Sequence, residues 1–190
     1  GHIETPRHWA RHLIRLRDLQ GRTGGITEFV PLPFVHMEAP IYLKGEARRG
    51  PSWRETVLIH SISRLVLHPL IQNIQTSWVK LGPMGAGICL DAGANDLGGT
   101  LMNETITRSA GASHGQEFSP EQMDNLIKKL GKTPSQRSTL YGAVNNVQEL
   151  KSYAAIPLEE VVNNNVKKYS KKVKPQFFST VDQKSQHIAE

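Results

Sequence analysis

Ile26-Thr-Glu-Phe-Val-Pro-Leu-Pro-Phe34 is the stretch on which the fold turns. Its β-branched and aromatic residues suit a pleated, half-buried surface, and Pro31 and Pro33 mark where a strand stops donating to a ladder. Helices flank this strand on both sides. Upstream, Thr5-Pro6 is a helix start, with Thr as N-cap and Pro at the first helical position, where no amide proton is needed. Trp9, Leu13, Leu16 and Gln20 then share one face, and Gly21 with the pair Gly24-Gly25 stops the helix. Downstream, a Pro/Gly-marked loop runs from Val35 to Pro51. Ser52-Trp53-Arg54-Glu55 has the form of a capping box and opens a helix carrying Val57, Leu58, Ile62 and Leu65, which Pro69 closes.

The alternation repeats. Ile74 to Leu81 reads as a strand ended by Gly82-Pro83. Residues 84–92 read as a short helix of small residues around Cys89, with Gly93 as its C-cap. Asn95 to Met102 reads as another short strand, its glycine pair allowing close approach to the backbone. Ser119-Pro120-Glu121-Gln122 opens a last helix, apolar at Met123, Leu126, Ile127 and Leu130, and Gly131 ends it. After about Val147 the periodicity fades. Asn163-Asn164-Asn165 and the lysines from Lys167 to Lys174 read as an extension, which divides the chain into 1–147 and a basic, partly disordered or helical 148–190.

Strand and helix in alternation with short connections predict an α/β fold with parallel strands and right-handed crossovers. A doubly wound sheet and a (β/α)8 barrel both give this pattern. No G-x-G-x-x-G follows any strand, which weighs against the first. A barrel takes roughly 250 residues, so these 190 would supply a part of one. A partial barrel leaves open strand edges, so something else is expected to close it.

Composition sets further bounds. Hydrophobic residues make up 38% and charged residues 21%, ordinary for a globular protein, and no apolar run is long enough to span a membrane. Net charge is +6; residues 151–190 hold seven Lys against Glu159, Glu160, Asp182 and Glu190, so half of that excess sits in the tail. Without arginines and interleaved aromatics, the tail reads as a solvated terminus rather than a nucleic-acid-binding surface. The first residues show neither an initiating Met nor a signal peptide, which predicts a start inside a longer polypeptide. Cys89 is the one cysteine, which excludes an internal disulfide and fits a reducing, cytoplasmic compartment. One thiolate cannot hold an iron–sulfur cluster, which takes about three or four.

Polar residues recur at the expected strand ends: His2 and Glu4, then His36 and Glu38, then Gln75, Ser77 and Lys80, then Asp96, Thr100, Asn103 and Glu104. Such groups are costly in apolar strands unless they find partners, so their recurrence predicts a polar pocket. Glu4 also fits a charge at the N-terminus of the helix capped by Thr5, and Lys80 also fits a side chain reaching solvent. Alternation along a strand sets Gln75 and Ser77 inward, with Lys80 at the rim. His8 and His12, four apart, have a zinc-compatible spacing but no third ligand, and read as a solvated face. His60 and His68 read as surface residues, Cys89, Trp53 and Trp78 as packing, and His114 as a loop residue with room for a role. No spacing supports a metal hydrolase built on His2, His36 and Glu38.

Four peptides carry a family resemblance: Gly1-His-Ile-Glu-Thr5, Thr23 to Phe34, Asn73-Ile-Gln-Thr-Ser-Trp-Val-Lys-Leu-Gly82 and Asn95-Asp-Leu-Gly-Gly-Thr-Leu-Met102. With Arg137-Ser-Thr-Leu-Tyr141 they resemble the radical S-adenosylmethionine (SAM) 4-hydroxybenzyl transferase of FO synthesis, a separate subunit or the second half of a fused FO synthase. The resemblance runs from Gly1 to about Gly142. Related enzymes of menaquinone synthesis share the barrel, but Glu28 to Gly45, with Val35-His-Met-Glu-Ala-Pro40, resembles the transferase best.

The resemblance implies a radical SAM barrel of which this chain holds about strands six to eight. It implies a [4Fe-4S] cluster on a C-x-x-x-C-x-x-C loop that this chain lacks, and SAM. It implies transfer of the hydroxybenzyl group of L-tyrosine to 5-amino-6-(D-ribitylamino)uracil, on the way to the deazaflavin FO. It also implies, as partners, an N-terminal half-barrel and the other FO synthase subunit or domain. By position, His2 and Glu4 are expected on the SAM side, and Glu28, His36, Gln75, Ser77, Lys80, Thr100 and Glu104 on the substrate side. The resemblance assigns no residue a catalytic role. A non-catalytic fragment and a menaquinone-pathway relative are the alternatives.

Overall fold

In a computed structural model, which describes residues 1–101 and 103–158, the chain is α/β with two short parallel strands. The extension expected around Asn163–Asn165 and Lys167–Lys174, and Met102 at the end of one expected strand, lie outside the described residues. The elements are α1 (Pro6–Thr23), β1 (Glu28–Phe29), α2 (Pro40–Leu43), α3 (Trp53–Leu67), β2 (Asn73–Ile74), α4 (Trp78–Asp91), α5 (Thr105–Ser109), α6 (Pro120–Lys129) and α7 (Asn146–Tyr153).

α1 begins where Thr5 is extended and Pro6 takes the first helical position, and it ends where Gly24 turns left-handed at φ 62° and donates to the Gln20 carbonyl. Gln20 lies on the buried face among apolar residues because its amide has a task. Nε2 donates to the Ile26 and Leu70 carbonyls at 2.9 and 3.0 Å, and Oε1 accepts from the Ile26 amide at 2.7 Å. The turn into β1 is thus clamped to the segment before β2, 50 residues on. α3 has its capping box in place, Ser52 Oγ accepting from the Glu55 amide and Glu55 Oε2 from the Ser52 amide.

β1 and β2 pair in parallel, Glu28 with Asn73 and Phe29 with Ile74. The Gln75 amide extends the ladder to the Phe29 carbonyl at 3.0 Å. On the far side Gln75 bridges in parallel to Asp96, with the Asn95 amide on the Ile74 carbonyl and the Thr76 amide on the Asp96 carbonyl. The expected strand from Asn95 therefore contributes one bridge, and the expected nine-residue strand from Ile26 pairs over Glu28–Phe29. Two prolines in that stretch and two glycines in the other remove ladder donors or stiffness.

The larger correction falls on Ile74–Leu81. Only Ile74 and Gln75 pair; Trp78 to Leu81 form the first turn of α4, with the Lys80 and Leu81 amides both donating to the Ser77 carbonyl. Burial wins over β propensity here: Trp78 and Val79 enter the core as a helical turn, and the indole Nε1 donates to the Gly99 carbonyl at 2.9 Å. Gly82, at φ 70° and ψ 170°, breaks that turn before Pro83. Gly93 follows the C-cap residue, Ala92.

The core joins Leu13 of α1, Leu67 of α3, Ile71, Ile74, then Trp78, Val79, Ala86, Cys89 and Leu90 of α4, and Ala94, Leu97 and Phe118. α1 packs on α3, α3 on α4, α4 on α6 and α6 on α7. His60, expected at the surface, is 0% exposed on the inner face of α3, its Nδ1 2.7 Å from the Thr56 carbonyl. Burial lowers its pKa, only partly opposed by that hydrogen bond. Position 60 falls in register with Thr56, Ser63 and Leu67, so the helical period carries a histidine inward.

Candidate functional site

The chain that leaves the parallel segments in the forward direction (residues 32–35 after β1, Lys80 after β2, 106–110 after Asp96) walls a cleft of about 720 Å³ together with Gly1, His2 and Glu4. Crevices beyond the carboxyl ends of parallel strands are where such folds bind ligands. Its charged groups are Glu4, Glu38 and Lys80, with His2 beside them. A smaller cavity of about 210 Å³, between α1, α3 and β1, is walled mainly by apolar groups such as Trp9, Leu13, Phe29 and Ile59. The larger cleft has the richer chemistry.

Each wall is fixed. His2 stacks on Phe34 with ring centroids 4.6 Å apart, and its carbonyl accepts from the Arg48 amide at 3.0 Å. Arg48 Nε also donates to the Gly1 carbonyl at 2.8 Å, and its NH1 pairs with Glu55 at 3.0 Å, tying the first residues to the start of α3. The Glu4 carboxylate accepts from the Ile3 amide at 3.3 Å. Lys80 Nζ donates to Thr107 Oγ1 at 2.8 Å. Glu104 caps α5, its Oε2 accepting from the Thr107 amide at 2.8 Å.

Of the residues singled out by sequence, His2, Glu4, Glu38 and Lys80 line this cleft. Glu104 stands behind Lys80, joined to it through Thr107. His36 packs edge-on against Tyr42, ring centroids 4.8 Å apart, in the loop preceding α2. Gln75 lies under Gly98, where a Cβ would come within 2.6 Å of its amide nitrogen, so the glycine is what lets the side chain lie flat. Ser77 is the buried N-cap position of α4, and Thr100 is half-buried beside Gly99. His114 rests on Gly82, its ring 2.8 Å from where a Cβ would stand.

Glu28 belongs to a second cluster. Tyr141 Oη lies 2.6 Å from Glu28 Oε2 and 2.5 Å from Asp96 Oδ2. Arg137 binds Asp96 Oδ2 through Nε at 2.7 Å and NH2 at 2.6 Å, and its guanidinium carbon sits 4.0 Å from the centre of the Tyr141 ring. The Asp96 side chain is 7% exposed, and its other oxygen accepts from the Gly98 amide at 2.6 Å. Burial, then the Asp96 and Glu28 carboxylates, push the Tyr141 phenol well above its ordinary range, because a phenolate there would face two negative charges. Arg137 and Ala143 bridge across a tight turn in which Tyr141 holds φ 60°. The cluster fastens this turn to both β1 and the Asp96 segment. Its signals in the sequence were faint: an acid between Ala94 and Leu97, and a Tyr-Gly pair four residues after an Arg.

An iron–sulfur cluster does not fit this set of donors. Cys89 is the chain's one thiol, fully buried against Thr76, and burial raises its pKa. Among the described residues, no three His, Cys, Asp or Glu side chains gather as a metal site. No helix among them is long and apolar enough to cross a membrane.

Residues 23–150 match a family described as the CofH/MqnC C-terminal region. The chain is 56% identical over 144 residues to a 5-amino-6-(D-ribitylamino)uracil–L-tyrosine 4-hydroxyphenyl transferase of Methanopyrus kandleri, which covers 76% of this chain and 39% of that protein. It is 52% identical over 141 residues to an FO synthase of Mycobacterium tuberculosis (74% of this chain, 16% of that protein) and 54% identical over 144 residues to one of Streptomyces coelicolor (76% and 17%). The chain thus spans about two fifths of the first relative and a sixth of the others.

Proposed function

The chain belongs to the CofH/MqnC C-terminal region family, and from that premise we propose that it supplies the substrate side of a radical SAM transferase. In that enzyme the 4-hydroxybenzyl group of L-tyrosine is joined to 5-amino-6-(D-ribitylamino)uracil on the way to FO. The observation that carries the reading is the charged cleft at the forward ends of parallel segments, in a chain whose relatives are named for this transfer. In this proposal β1, β2 and the Asp96 segment are successive strands of a (β/α)8 barrel, about the sixth to the eighth, within a domain of residues 1–147 followed by the basic segment 148–190. The [4Fe-4S] cluster would belong to an N-terminal half-barrel, since the donors here do not fit it.

This chain's own residues would bind and orient. His2 and Glu4 would meet the amino-acid or nucleoside part of SAM. Lys80, backed by Glu104 through Thr107, would meet an anionic or carbonyl group of substrate. Glu28, His36, Gln75, Ser77 and Thr100 would offer donors and acceptors to the pyrimidine and its ribityl chain. Partners would be the N-terminal half-barrel and the other FO synthase subunit or domain, with no nucleic acid or membrane involved, in the cytoplasm.

Iron content and SAM cleavage test the reading. The chain alone should hold no cluster and cleave no SAM, whereas the chain joined to an N-terminal region carrying C-x-x-x-C-x-x-C should do both. A joined protein that binds iron and cleaves SAM, yet never consumes tyrosine, would refute it.

A further inference from the structure

The ammonium of the cleft's cation and the backbone of one of its anions are both anchored on α5 and its C-cap residue, Ala110. Lys80 leaves the first turn of α4, and its Nζ donates to Thr107 Oγ1 at 2.8 Å. Thr107 is 1% exposed, so this hydroxyl is out of reach of solvent. Its amide donates to Glu104 Oε2 at 2.8 Å, and the Glu104 amide donates to the Gly115 carbonyl at 3.1 Å. Gly115, at φ 102°, fits against Val79, whose Cγ1 would stand 2.9 Å from an added Cβ. A continuous path therefore runs from the α4 surface through Gly115, Glu104 and Thr107 back to Lys80. An ammonium has three donors, and the Thr107 contact uses one of them.

At the other end of α5 the Ala110 carbonyl accepts from the Glu38 amide at 3.0 Å. Gly111 closes on the same loop, an added Cβ meeting Met37 Cβ at 2.7 Å. The Glu38 backbone is thereby fixed at residue 110 and the Lys80 ammonium at Thr107. A cation and an anion that both line one cleft suit a ligand carrying both charges. A phosphate would meet Glu4 and Glu38 as repulsion, and a neutral polyol would leave all three charges uncompensated.

We propose that Lys80 and Glu38 are the two poles of a subsite for a zwitterionic α-amino-acid head group, Lys80 taking the carboxylate and Glu38 the ammonium. Thr107 and Glu104 are then positioning residues for Lys80. This rests on the reading above and deepens it by assigning the head group. Tyrosine and the methionyl end of SAM share that chemistry, and the test separates them.

The test uses the chain completed by its N-terminal region, with Thr107→Val, Thr107→Ser, Lys80→Met and Glu38→Gln. Steady-state constants are measured for tyrosine and for SAM. Inhibition constants are measured for tyramine, which lacks the carboxylate, and for 3-(4-hydroxyphenyl)propionate, which lacks the ammonium. Losing one hydrogen bond to a charged group costs on the order of tenfold or more in binding. Thr107→Val and Lys80→Met should raise KM for tyrosine by about that factor with little change in kcat, and Thr107→Ser should restore it. Tyramine should bind Lys80→Met as well as wild type, and the propionate should bind Glu38→Gln as well as wild type. A rise in KM for SAM instead would uphold the subsite and make SAM its occupant. Variants that turn over with unchanged constants for both amino acids would overturn the subsite. A wild-type enzyme that cleaves SAM and ignores tyrosine would overturn the underlying function while leaving the SAM arm to judge the subsite.

Discussion

Removing the Tyr141 hydroxyl probes the cluster that fastens the 137–143 turn to the parallel segments. Tyr141→Phe keeps the ring under the Arg137 guanidinium, 4.0 Å away, and keeps both Arg137 contacts to Asp96. What it deletes is one O–H lying within 2.6 Å of two carboxylate oxygens. Hydrogen bonds to charged groups contribute about 1.5–3 kcal/mol each. One hydroxyl proton can serve one carboxylate at a time, and Glu28 is open to water that can replace the contact. The expected loss is therefore that of a single bond to Asp96, about 2 kcal/mol. For a chain of this length that lowers the unfolding midpoint by roughly 4–8 °C. Urea unfolding at neutral pH measures it directly, with Asp96→Asn and the double variant completing a cycle. A coupling energy near 1–2 kcal/mol between the two positions is expected. A loss below about 0.5 kcal/mol, or strict additivity, would refute the view that Tyr141 holds the turn by its hydroxyl.

Three further outcomes follow from the packing. The lowered pKa of buried His60 means that the unfolded chain takes up a proton the folded chain refuses, so this contribution to stability is full above the ordinary value of 6.5 and lost as pH falls below it; midpoints measured from pH 8 to 5 should fall less steeply in His60→Leu than in wild type. Gly82→Ala should cost about 2–3 kcal/mol, since φ 70° with ψ 170° is a glycine conformation and a Cβ would press on the His114 ring at 2.8 Å, and urea midpoints should shift accordingly. Cys89, fully buried with its thiol pKa raised, should resist alkylation in the folded protein and react at once in denaturant, which mass spectrometry reads directly.

Helix starts were legible because their chemistry is local. Thr5-Pro6, Ser52 to Glu55 and Ser119 to Gln122 each cap the helix their residues announce. The parallel order of β1 and β2 was legible from alternation with helices. The length of the strands was not. Ile26–Phe34 and Ile74–Leu81 are rich in β-branched and aromatic residues, but pairing ends where a proline lacks its donor or where Trp78 and Val79 gain more by turning into the core. His60 looked like a surface residue because Val57, Leu58, Ile62 and Leu65 lie on the other side of α3. Yet Leu58, Ile62 and Leu65 are exposed, and the side carrying Thr56, His60, Ser63 and Leu67 is buried. α7 was missed because its residues are mostly exposed, so no apolar stripe announces it.

The cleft was half legible. His2, Glu4, Glu38 and Lys80 stood out as polar groups at strand ends, and they line it. Thr107 carried no signal, since a threonine in a short helix reads as ordinary until the Lys80 ammonium is seen resting on its hydroxyl. Arg137 and Tyr141 reach Glu28 and Asp96 across more than 40 residues of sequence, a pairing that no local pattern encodes. Polar groups that satisfy one another over such distances appear in the sequence only as unpaired oddities.

The most direct measurement is mass-spectrometric detection of the joined product. Protein comprising this chain and its N-terminal region is incubated anaerobically with reductant, SAM, L-tyrosine and 5-amino-6-(D-ribitylamino)uracil. The account predicts a hydroxybenzyl adduct of the pyrimidine, its benzylic carbon labelled from β-13C-tyrosine, formed about tenfold more slowly at limiting tyrosine when Lys80 is replaced by Met. SAM cleavage with the pyrimidine recovered unchanged would contradict the account.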